Sequence, residues 1–325
     1  MLYPLKFKHI YKDKIWGGNR FSEILQRKDG NSLQCGESWE ISAVQDSISV
    51  VSNGFLKGND LQEIIEVYMD ELVGQKVYEK FGIEFPLLIK FLDTNDVLSV
   101  QVHPNDEVAK ERHNAYGKTE MWYVMDAAKS AKIFVGFEKD SSKQEFKQTV
   151  ENQNVENLLH HECVEKGNVF YLPAGCVHAL GEGLLIAEIQ QTSDVTYRIY
   201  DWNRVDDKGN QRELHVNLAL DVIDYKAHRD NKKNYEARNN STEELVNCPY
   251  FTTNLIQFNE TVVKDYYAID SFVIYMCVEG SATINFGGDY EELITKGETV
   301  LIPASLHTIE LTPQGDTKIL EIYIK

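Results

Sequence analysis

One pattern of glycine, proline and histidine constrains the fold of this chain more than any other feature of its sequence. It lies within residues 167–198, which read GNVFYLPAGCVHALGEGLLIAEIQQTSDVTYR. Its spaced residues are Gly167, Pro173, Gly175 and His178. Glycine permits sharp turns and proline favours strand ends, so the pattern is typical of short strands joined by tight turns.

A second informative stretch covers residues 99–120 and reads SVQVHPNDEVAKERHNAYGKTE. Its first five residues alternate as in a β-strand, so Gln101 and His103 project from the same face. Pro104 suits the end of that strand, and Asn105 can cap a short helical turn after it. We therefore expect two metal ligands close to one strand end.

The two stretches together supply a donor set for a divalent metal in a small β-barrel. The imidazoles come from His103 and His178, the carboxylate from Glu120 and an amide oxygen from Gln101. This mixed nitrogen and oxygen set suits zinc, and it also suits manganese, iron or cobalt. Cysteine is not required as a ligand.

The glycine–proline–histidine pattern resembles the second signature of the cupin barrels, in which the histidine reaches into the barrel mouth. Its order recurs as Gly297, Pro303 and His307, and glycine and proline are six residues apart in both copies (173 − 167 and 303 − 297). We therefore expect an internal duplication and a mainly β protein of two cupin (jelly-roll) barrels with a few covering helices. In the later copy, the preceding strand at residues 276–286 offers no paired ligands. The second barrel is expected to keep the fold without the metal, with His307 in the ligand slot in a structural role.

The composition indicates a folded, acidic protein, and the length of the chain is sufficient for two domains. Of the 325 residues, 42% are hydrophobic and 11% aromatic, which is enough for well-formed cores. A net charge of −18 repels phosphate polymers, so we expect no nucleic-acid partner and no membrane partner. Local lysines and arginines still allow a small phosphorylated substrate.

Cysteine usage and the N-terminal segment favour the cytoplasm. The five cysteines are odd in number and form no C-x-x-C motif, which is typical of reduced thiols. The N-terminal residues carry scattered lysines and no long apolar run, so they predict neither a signal peptide nor a membrane span. For the assembly we expect a monomer or a small homo-oligomer.

Short runs rich in Val, Ile, Tyr and Phe predict strands, and two periodic segments predict helices that cover the barrel. The predicted strands include residues 120–125, 131–137 and 184–190. The predicted helices lie at residues 59–74 and 211–224.

The polar residues 227–244 are expected to connect the two barrels. This places a domain boundary near residue 245. Residues 1–245 would form the catalytic metal-binding cupin domain, with N-terminal and helical additions. Residues 246–325 would form the degenerate C-terminal cupin domain.

With these motifs in place, the chain resembles the short bacterial form of type I mannose-6-phosphate isomerase (phosphomannose isomerase). The matching motifs are IWGG (15–18), GESWEIS (36–42), FPLLIKFLD (85–93), LSVQVHPND (98–106), GKTEMWYV (117–124) and the stretch 167–198. The resemblance implies an aldose–ketose isomerase that interconverts D-mannose 6-phosphate and D-fructose 6-phosphate through an enediol or enediolate. It also implies one divalent metal ion, zinc, in the first barrel.

The resemblance assigns residues to these roles by motif. The implied metal ligands are Gln101, His103, Glu120 and His178. The essential arginine of the family corresponds to Arg198 in SDVTYR, four residues after Asp194 (198 − 194). The run before SD reads EIQQT, which departs from the Ala-Asn form and leaves the roles of Gln190 and Gln191 open.

Residue chemistry limits the roles within the reaction. Arg198 stays protonated, so it suits stabilisation of an anionic enediolate or binding of phosphate rather than proton abstraction. Lys118 lies two residues before Glu120 and shares its face in an extended strand, so it can act as the base or hold the phosphate. Glu188 is the other candidate proton carrier, and Asp194 can orient Arg198 or the sugar.

Two other functions fit parts of the pattern. A metal-dependent cupin oxygenase would favour three histidines around iron, whereas Gln101 replaces one nitrogen donor here. A non-catalytic sugar-phosphate sensor would have no need of Lys118, Glu188 and Arg198 together. We therefore expect the isomerase, with a small phosphorylated sugar as its substrate.

Overall fold

The computed structural model describes residues 1–27, 34–205, 208–288 and 290–325. The chain forms two compact units. One comprises Met1–Ile10, Trp39–Leu88 and Asn234–Lys325, and the other comprises Tyr11–Ser38 and Ile89–Lys233. The division of the sequence near residue 245 into two domains stays a prediction.

The N-terminal barrel consists of two sheets. One has seven strands in the order β1 (Ile10–Gly18), β2 (Cys35–Ile41), β3 (Leu87–Thr94), β10 (Leu184–Gln191), β5 (Glu120–Ala127), β8 (Val169–Leu172) and β12 (Lys232–Lys233). The other has the order β11 (Tyr197–Tyr200), β4 (Val100–Val102), β9 (His178–Leu180), β6 (Lys132–Phe137) and β7 (Leu159–Cys163). The three predicted strands are confirmed as β5, β6 and β10.

The C-terminal barrel consists of two antiparallel sheets. One has the order β13 (Ser241–Asn247), β14 (Thr252–Phe258), β21 (Thr317–Tyr323), β16 (Val273–Glu279) and β19 (Thr299–Ile302). The other has the order β15 (Val262–Asp265), β20 (Thr308–Pro313), β17 (Ser281–Asn285) and β18 (Glu291–Thr295).

The strand orders of the two barrels correspond strand by strand. The order β3-β10-β5-β8 of the N-terminal barrel matches β14-β21-β16-β19, and β4-β9-β6-β7 matches β15-β20-β17-β18. The matching strands follow one another in the same sequence along the chain. This shared order supports the predicted duplication, and the mainly β fold is confirmed.

The motif glycines make equivalent turns in both barrels. Gly167 has φ +91° and donates to the carbonyl of Val124, and Gly297 has φ +85° and donates to the carbonyl of Cys277. A positive φ is a conformation that glycine adopts without strain. The glycine part of the pattern therefore fixes the turn before β8 and before β19.

His307 does not lie in the ligand slot of the C-terminal barrel, so that expectation is wrong. In the N-terminal barrel His178 pairs with Gln101, on the same face as Leu180 of the buried cluster. Counted from the equivalent glycines, the matching pair in the C-terminal barrel is Ile309 and Lys264, and Ile309 belongs to the buried cluster there. His307 precedes Ile309 by two residues and is exposed. The cause is spacing, because the matching residue follows proline by five residues in the first copy (178 − 173) and by six in the second (309 − 303), whereas His307 follows proline by only four.

The described helices are short and lie between strands. They are α1 (Arg20–Glu23), α2 (Leu61–Val73), α3 (Gln75–Phe81), α4 (Asp106–His113), α5 (Lys143–Glu151), α6 (Val216–Val222) and a 3₁₀ turn (Val155–Leu158). The helix predicted at 59–74 is confirmed as α2, where Asp60 and Glu63 form a reciprocal capping box. The capped turn predicted after Asn105 is confirmed as the start of α4.

Three sequence expectations need correction. The helix predicted at 211–224 begins only at Val216, because Arg212 binds Asp201 (Nε to Oδ2 2.7 Å) and the segment before Val216 stays outside the helix. The stretch 276–286 is a hairpin of β16 and β17, since Gly280 turns the chain with φ +73°. The connection 227–244 contributes β12 to the N-terminal barrel and the start of β13 to the C-terminal barrel.

Apolar side chains fill the interior of each barrel. The N-terminal barrel buries a cluster that includes Trp122, Phe170 and Ile186, and the C-terminal barrel buries one that includes Tyr275 and Ile319. None of the described helices is long and apolar enough to cross a membrane. All five cysteines have free thiols.

Candidate metal centre and active site

Three adjacent strands bring candidate side chains to one face of the smaller sheet of the N-terminal barrel. Gln101 on β4 lies directly opposite His178 on β9 and opposite Arg198 on β11. Directly opposed residues in antiparallel strands project to the same face. Gln101 is therefore flanked by an imidazole on one side and a guanidinium on the other.

The turn at Gly175 ties the two histidine segments together. Gly175 has φ +88°, and a Cβ at this position would lie 2.9 Å from the carbonyl oxygen of Val222. Gly175 lies three residues before His178, and its backbone amide donates to the carbonyl of His103 (2.9 Å). Because only glycine fits this turn, the motif places both imidazoles at one end of the barrel.

The second nitrogen of each imidazole is held by the backbone. His103 Nδ1 lies 3.1 Å from the carbonyl oxygen of Val195, and His178 Nδ1 lies 2.9 Å from that of Cys176. A carbonyl accepts only, so each Nδ1 carries the proton and each Nε2 keeps its lone pair. This is the arrangement that metal-binding histidines commonly have.

The Nε2 atoms converge on the carboxylate of Glu120, the first residue of β5. His178 Nε2 lies 3.2 Å from Glu120 Oε1, and His103 Nε2 lies 3.5 Å from Glu120 Oε2. The ligand atoms of the three residues all lie within 4.8 Å of one another, and all three side chains are buried. The structure therefore brings together three of the four ligands predicted from sequence.

A divalent cation fits this donor set. Glu120 Oε1 and His178 Nε2 are buried and have no hydrogen-bond partner among the described residues. Unpaired acceptors of this kind are costly in a protein interior unless a cation or another donor binds them. Two imidazole nitrogens and one carboxylate are ligands that zinc and related divalent metals share.

The electrostatics favour the protonation states that metal binding needs. Burial and the neighbouring Lys118 ammonium hold the pKa of His103 well below its usual range, so its imidazole is neutral. Burial alone would raise the pKa of Glu120, but Lys118 and the two histidines outweigh it and hold that pKa well below normal. Neutral imidazoles and an ionised carboxylate are the metal-binding forms.

Lys118 lies inside this cluster. Its Nζ atom is 3.3 Å from Glu120 Oε2 and 3.3 Å from His103 Nε2, and its side chain is buried. The prediction that Lys118 shares the face of Glu120 agrees with this position. Its part in the reaction is not decided by these contacts.

Glu188 is a buried counter-ion in the structure. Its Oε1 lies 3.2 Å from Lys90 Nζ, and its Oε2 accepts a hydrogen bond of 2.9 Å from Trp122 Nε1. The Trp122 ring meets the His178 ring edge-on at 5.3 Å between centroids. The Trp122 side chain therefore lies between Glu188 and the histidine cluster and contacts both.

Lys90 and Glu37 are site neighbours that the sequence reasoning missed. Burial works to lower the pKa of Lys90, but Glu188 and Glu37 outweigh it, so the pKa is raised and the ammonium is charged. Glu37 Oε2 lies 3.8 Å from Lys90 Nζ. The available signal was a lone lysine within the apolar run FPLLIKFLD, because a lysine amid a buried strand requires a charged partner.

Arg198 and Asp194 are less tightly placed. Arg198 Nη1 donates to the backbone carbonyl of Glu213 (3.0 Å), and burial together with the charge of Arg212 lowers the pKa of Arg198. Asp194 is exposed and forms no ion pair with Arg198. The structure thus places Arg198 beside Gln101 and does not bring Asp194 against it.

Comparison with known proteins identifies the family. A family model described as phosphomannose isomerase type I, catalytic domain, matches residues 4–156. Mannose-6-phosphate isomerase ManA of Bacillus subtilis (strain 168) is 36% identical over 311 residues, which cover 95% of each chain. This chain belongs to the type I phosphomannose isomerase family. A mannose-6-phosphate isomerase of Streptococcus mutans is also 36% identical, over 98% of each chain.

A solved structure of the phosphomannose isomerase family gives the same result in three dimensions. The crystal structure of the mannose 6-phosphate isomerase from Bacillus subtilis aligns with a TM-score of 0.87 at 31% identity. The alignment covers 99% of this chain and 100% of that chain. The family resemblance and the cupin-like fold expected from the sequence are therefore confirmed.

Proposed function

We propose that this protein is a metal-dependent isomerase that interconverts D-mannose 6-phosphate and D-fructose 6-phosphate. The observation that carries the proposal is the buried cluster of His103, Glu120 and His178, with both Nε2 atoms directed at one carboxylate. Relatives that match almost the whole chain are named for this reaction. The free thiols are compatible with our expectation of a cytoplasmic enzyme.

We assign zinc as the metal and Gln101 as its fourth protein ligand. Gln101 lies opposite His178 on the same sheet face, so the strand order places its neutral amide oxygen beside the cluster. When bound, the cation would supply Lewis-acid polarisation of the substrate oxygens at C1 and C2. An amide in place of a third imidazole argues against the oxygenase reading.

The protein groups divide the remaining work. Arg198 keeps its positive charge, so we assign it to the negative charge that develops on the enediolate. Lys118 retains two roles, proton transfer at C1 and C2 or binding of the phosphate, and both are tested below. Asp194, exposed beside the site, is assigned to the sugar rather than to Arg198.

Glu188 is assigned to orientation rather than to proton transfer. Both of its oxygens have partners, Lys90 and Trp122, and Trp122 packs against His178. A carboxylate held in this way fixes the ring that supports a metal-binding imidazole. These contacts support orientation of the Trp122 ring by Glu188 more than they support proton transfer by Glu188.

A coupled assay tests the function directly. The purified protein is stripped with a chelator, and fructose 6-phosphate formation from mannose 6-phosphate is followed through glucose 6-phosphate and NADPH. Turnover is expected to disappear with the metal and to return with added zinc. Absence of turnover in the zinc-loaded protein would reject the isomerase and leave the sensor reading, which binding of mannose 6-phosphate without turnover would support.

A further inference from the structure

Three consecutive backbone amides around Lys118 are each held by a different acceptor. The amide of Gly117 donates to Asp106 Oδ1 (2.8 Å), and the amide of Lys118 donates to the carbonyl of Pro104 (3.1 Å). The amide of Thr119 donates to Gln191 Oε1 (2.9 Å). The chain segment that carries Lys118 is therefore fixed on both sides of the lysine.

The two side chains in this set are bonded to each other. Gln191 Nε2 donates to Asp106 Oδ1 (2.9 Å), so that one carboxylate oxygen accepts from both Gln191 and Gly117. The backbone N–H of Gln191 also donates to the carbonyl of Thr119 (3.2 Å). Gln191 is 5% exposed and its bond from the Thr119 amide is buried, whereas Asp106 is exposed and its two bonds are half-buried. We call Asp106 and Gln191 the lysine clamp.

Gly117 has no room for a side chain in this arrangement. A Cβ at this position would lie 2.6 Å from the Asp106 amide nitrogen and 2.9 Å from Asp106 Oδ1. The chain around Lys118 therefore packs directly on the start of α4. This contact joins three sequence motifs, which are HPND, GKTE and the second glutamine of EIQQ.

We propose that Gln191 and Asp106 are positioning residues for Lys118 in the isomerase reaction. A lysine side chain has four rotatable carbon bonds, so the position of its Nζ depends on a backbone that does not move. Small displacements of a group in an active site cost large factors in rate. The proposal gives Gln191 a role that the sequence left open, and it rests on the proposed function.

Neighbouring Gln190 shows why the role belongs to Gln191. Gln190 lies opposite Glu120 on β10 and β5, and its Nε2 donates to the carbonyl of Ser193 (2.7 Å). Successive residues of a strand point to opposite faces. Gln191 is therefore directed away from Glu120 and towards the segment that precedes it, where the clamp forms.

The first test is a double-mutant cycle with steady-state kinetics on mannose 6-phosphate. Gln191→Leu and Asp106→Ala are each expected to lower kcat/KM by about tenfold or more. The loss should appear in the same parameter, kcat or KM, that Lys118→Ala changes. In the Lys118→Ala background, Gln191→Leu should cause no further loss. Asp106→Asn keeps the acceptor oxygen, so it should retain activity within about twofold.

Asn231→Leu is the matched control. Asn231 is a buried amide in the same compact unit whose Nδ2 donates to the backbone carbonyl of Tyr171 (3.0 Å). Its removal tests the general effect of losing a buried amide. Any loss of kcat/KM that it causes should be the same with and without Lys118→Ala.

The second test does not depend on turnover. Amide hydrogen exchange at Lys118 and Thr119 is expected to rise in Gln191→Leu and to stay unchanged in Asn231→Leu. Additive losses for Gln191→Leu and Lys118→Ala, or unchanged exchange at these amides, would overturn the clamp. If the zinc-loaded wild type does not turn over, the proposed function fails, and unchanged exchange in Gln191→Leu would then still overturn the clamp separately.

Discussion

The N-terminal and C-terminal barrels have matching strand orders and different residues at the positions where the first barrel has its ligands. Glu120 of β5 pairs with Leu172, which precedes the motif proline, and Val273 of β16 pairs with Ile302, which likewise precedes proline. Val273 therefore stands where the N-terminal barrel has its carboxylate. Loss of the ligand without loss of the strand shows that the fold does not depend on the site.

The other ligand positions differ in the same way. The pair of Gln101 and His178 corresponds to Lys264 and Ile309, and Ile309 is buried. Tyr266 follows Lys264 by two residues, as His103 follows Gln101. Across the four ligand positions, the C-terminal barrel keeps neither an imidazole nor the carboxylate of Glu120.

The buried acids of the two barrels show what separates a site from a structural network. The same register that pairs Trp122 with Glu188 pairs Tyr275 with Glu321. Glu321 receives three donors, which are Tyr266 (2.6 Å), Lys264 (2.9 Å) and Asn254 (2.7 Å). That network is closed within the barrel, whereas the N-terminal barrel keeps unpaired acceptors on Glu120 and His178.

Removal of one imidazole should have the largest effect. His103→Ala or His178→Ala is expected to abolish metal binding and turnover together, a greater loss than the 10- to 100-fold typical for an outer-shell partner. Metal content by mass spectrometry of the native protein, measured with the coupled assay, checks this. Full activity in a variant without metal would contradict the proposed difference between the barrels, because the N-terminal barrel would then need no metal for the reaction.

Arg198→Ala is expected to lower kcat by about a hundredfold or more, because a fixed positive charge should stabilise the enediolate more than the bound substrate. Steady-state kinetics on mannose 6-phosphate measure the effect. Metal content should stay at one equivalent, which separates this loss from that of the histidine variants. A rise in KM at constant kcat would instead make Arg198 a phosphate anchor.

Lys118→Ala separates the two roles of the lysine and should cost about a hundredfold in kcat/KM. If Lys118 holds the phosphate, binding of mannose 6-phosphate should weaken far more than binding of mannose. If it transfers the proton, exchange of the C2 proton with solvent should stop while binding persists. Loss of neither property would return the base to Glu188, against the assignment made here.

Equivalent aromatic positions in the two barrels allow a matched pair of variants. Trp122→Phe removes the donor to Glu188 and leaves a gap, so it should cost about 2–4 kcal/mol of unfolding free energy and lower activity. Tyr275→Phe removes a hydroxyl that contacts the Tyr266 hydroxyl, while Tyr266 still donates to Glu321. It should cost about 1 kcal/mol and leave turnover unchanged.

Urea unfolding and the coupled assay measure this pair. Equal losses of activity in Trp122→Phe and Tyr275→Phe would show that the C-terminal barrel contributes to the reaction. Unchanged activity in both variants would remove Glu188 and its partners from the site.

Local patterns predicted the residues whose roles depend on local geometry. The ligand strand before Pro104, the capped helix α2 and the turn at Gly167 follow from alternation, capping and glycine conformation. Lys90 was missed because its burial depends on Glu37 and Glu188, which lie far away in sequence. The helix was also wrongly predicted to include residues 211–215, since the contact of Arg212 with Asp201, eleven residues earlier, lies outside the periodicity of a helix.

The smallest effect is expected from His307→Ala, which tests the C-terminal side of the comparison. His307 is exposed and stacks on the Tyr267 ring at 4.6 Å between centroids, and Tyr267 is itself 74% exposed. Among the described residues of this barrel, no carboxylate and second imidazole accompany it as they do in the first barrel. Metal content and kcat should stay unchanged, and the free energy of unfolding should fall by at most about 1 kcal/mol, the scale of an exposed aromatic pair. Loss of a second equivalent of metal in this variant alone would show that the C-terminal barrel has a site of its own, built on a histidine that the shared register leaves outside.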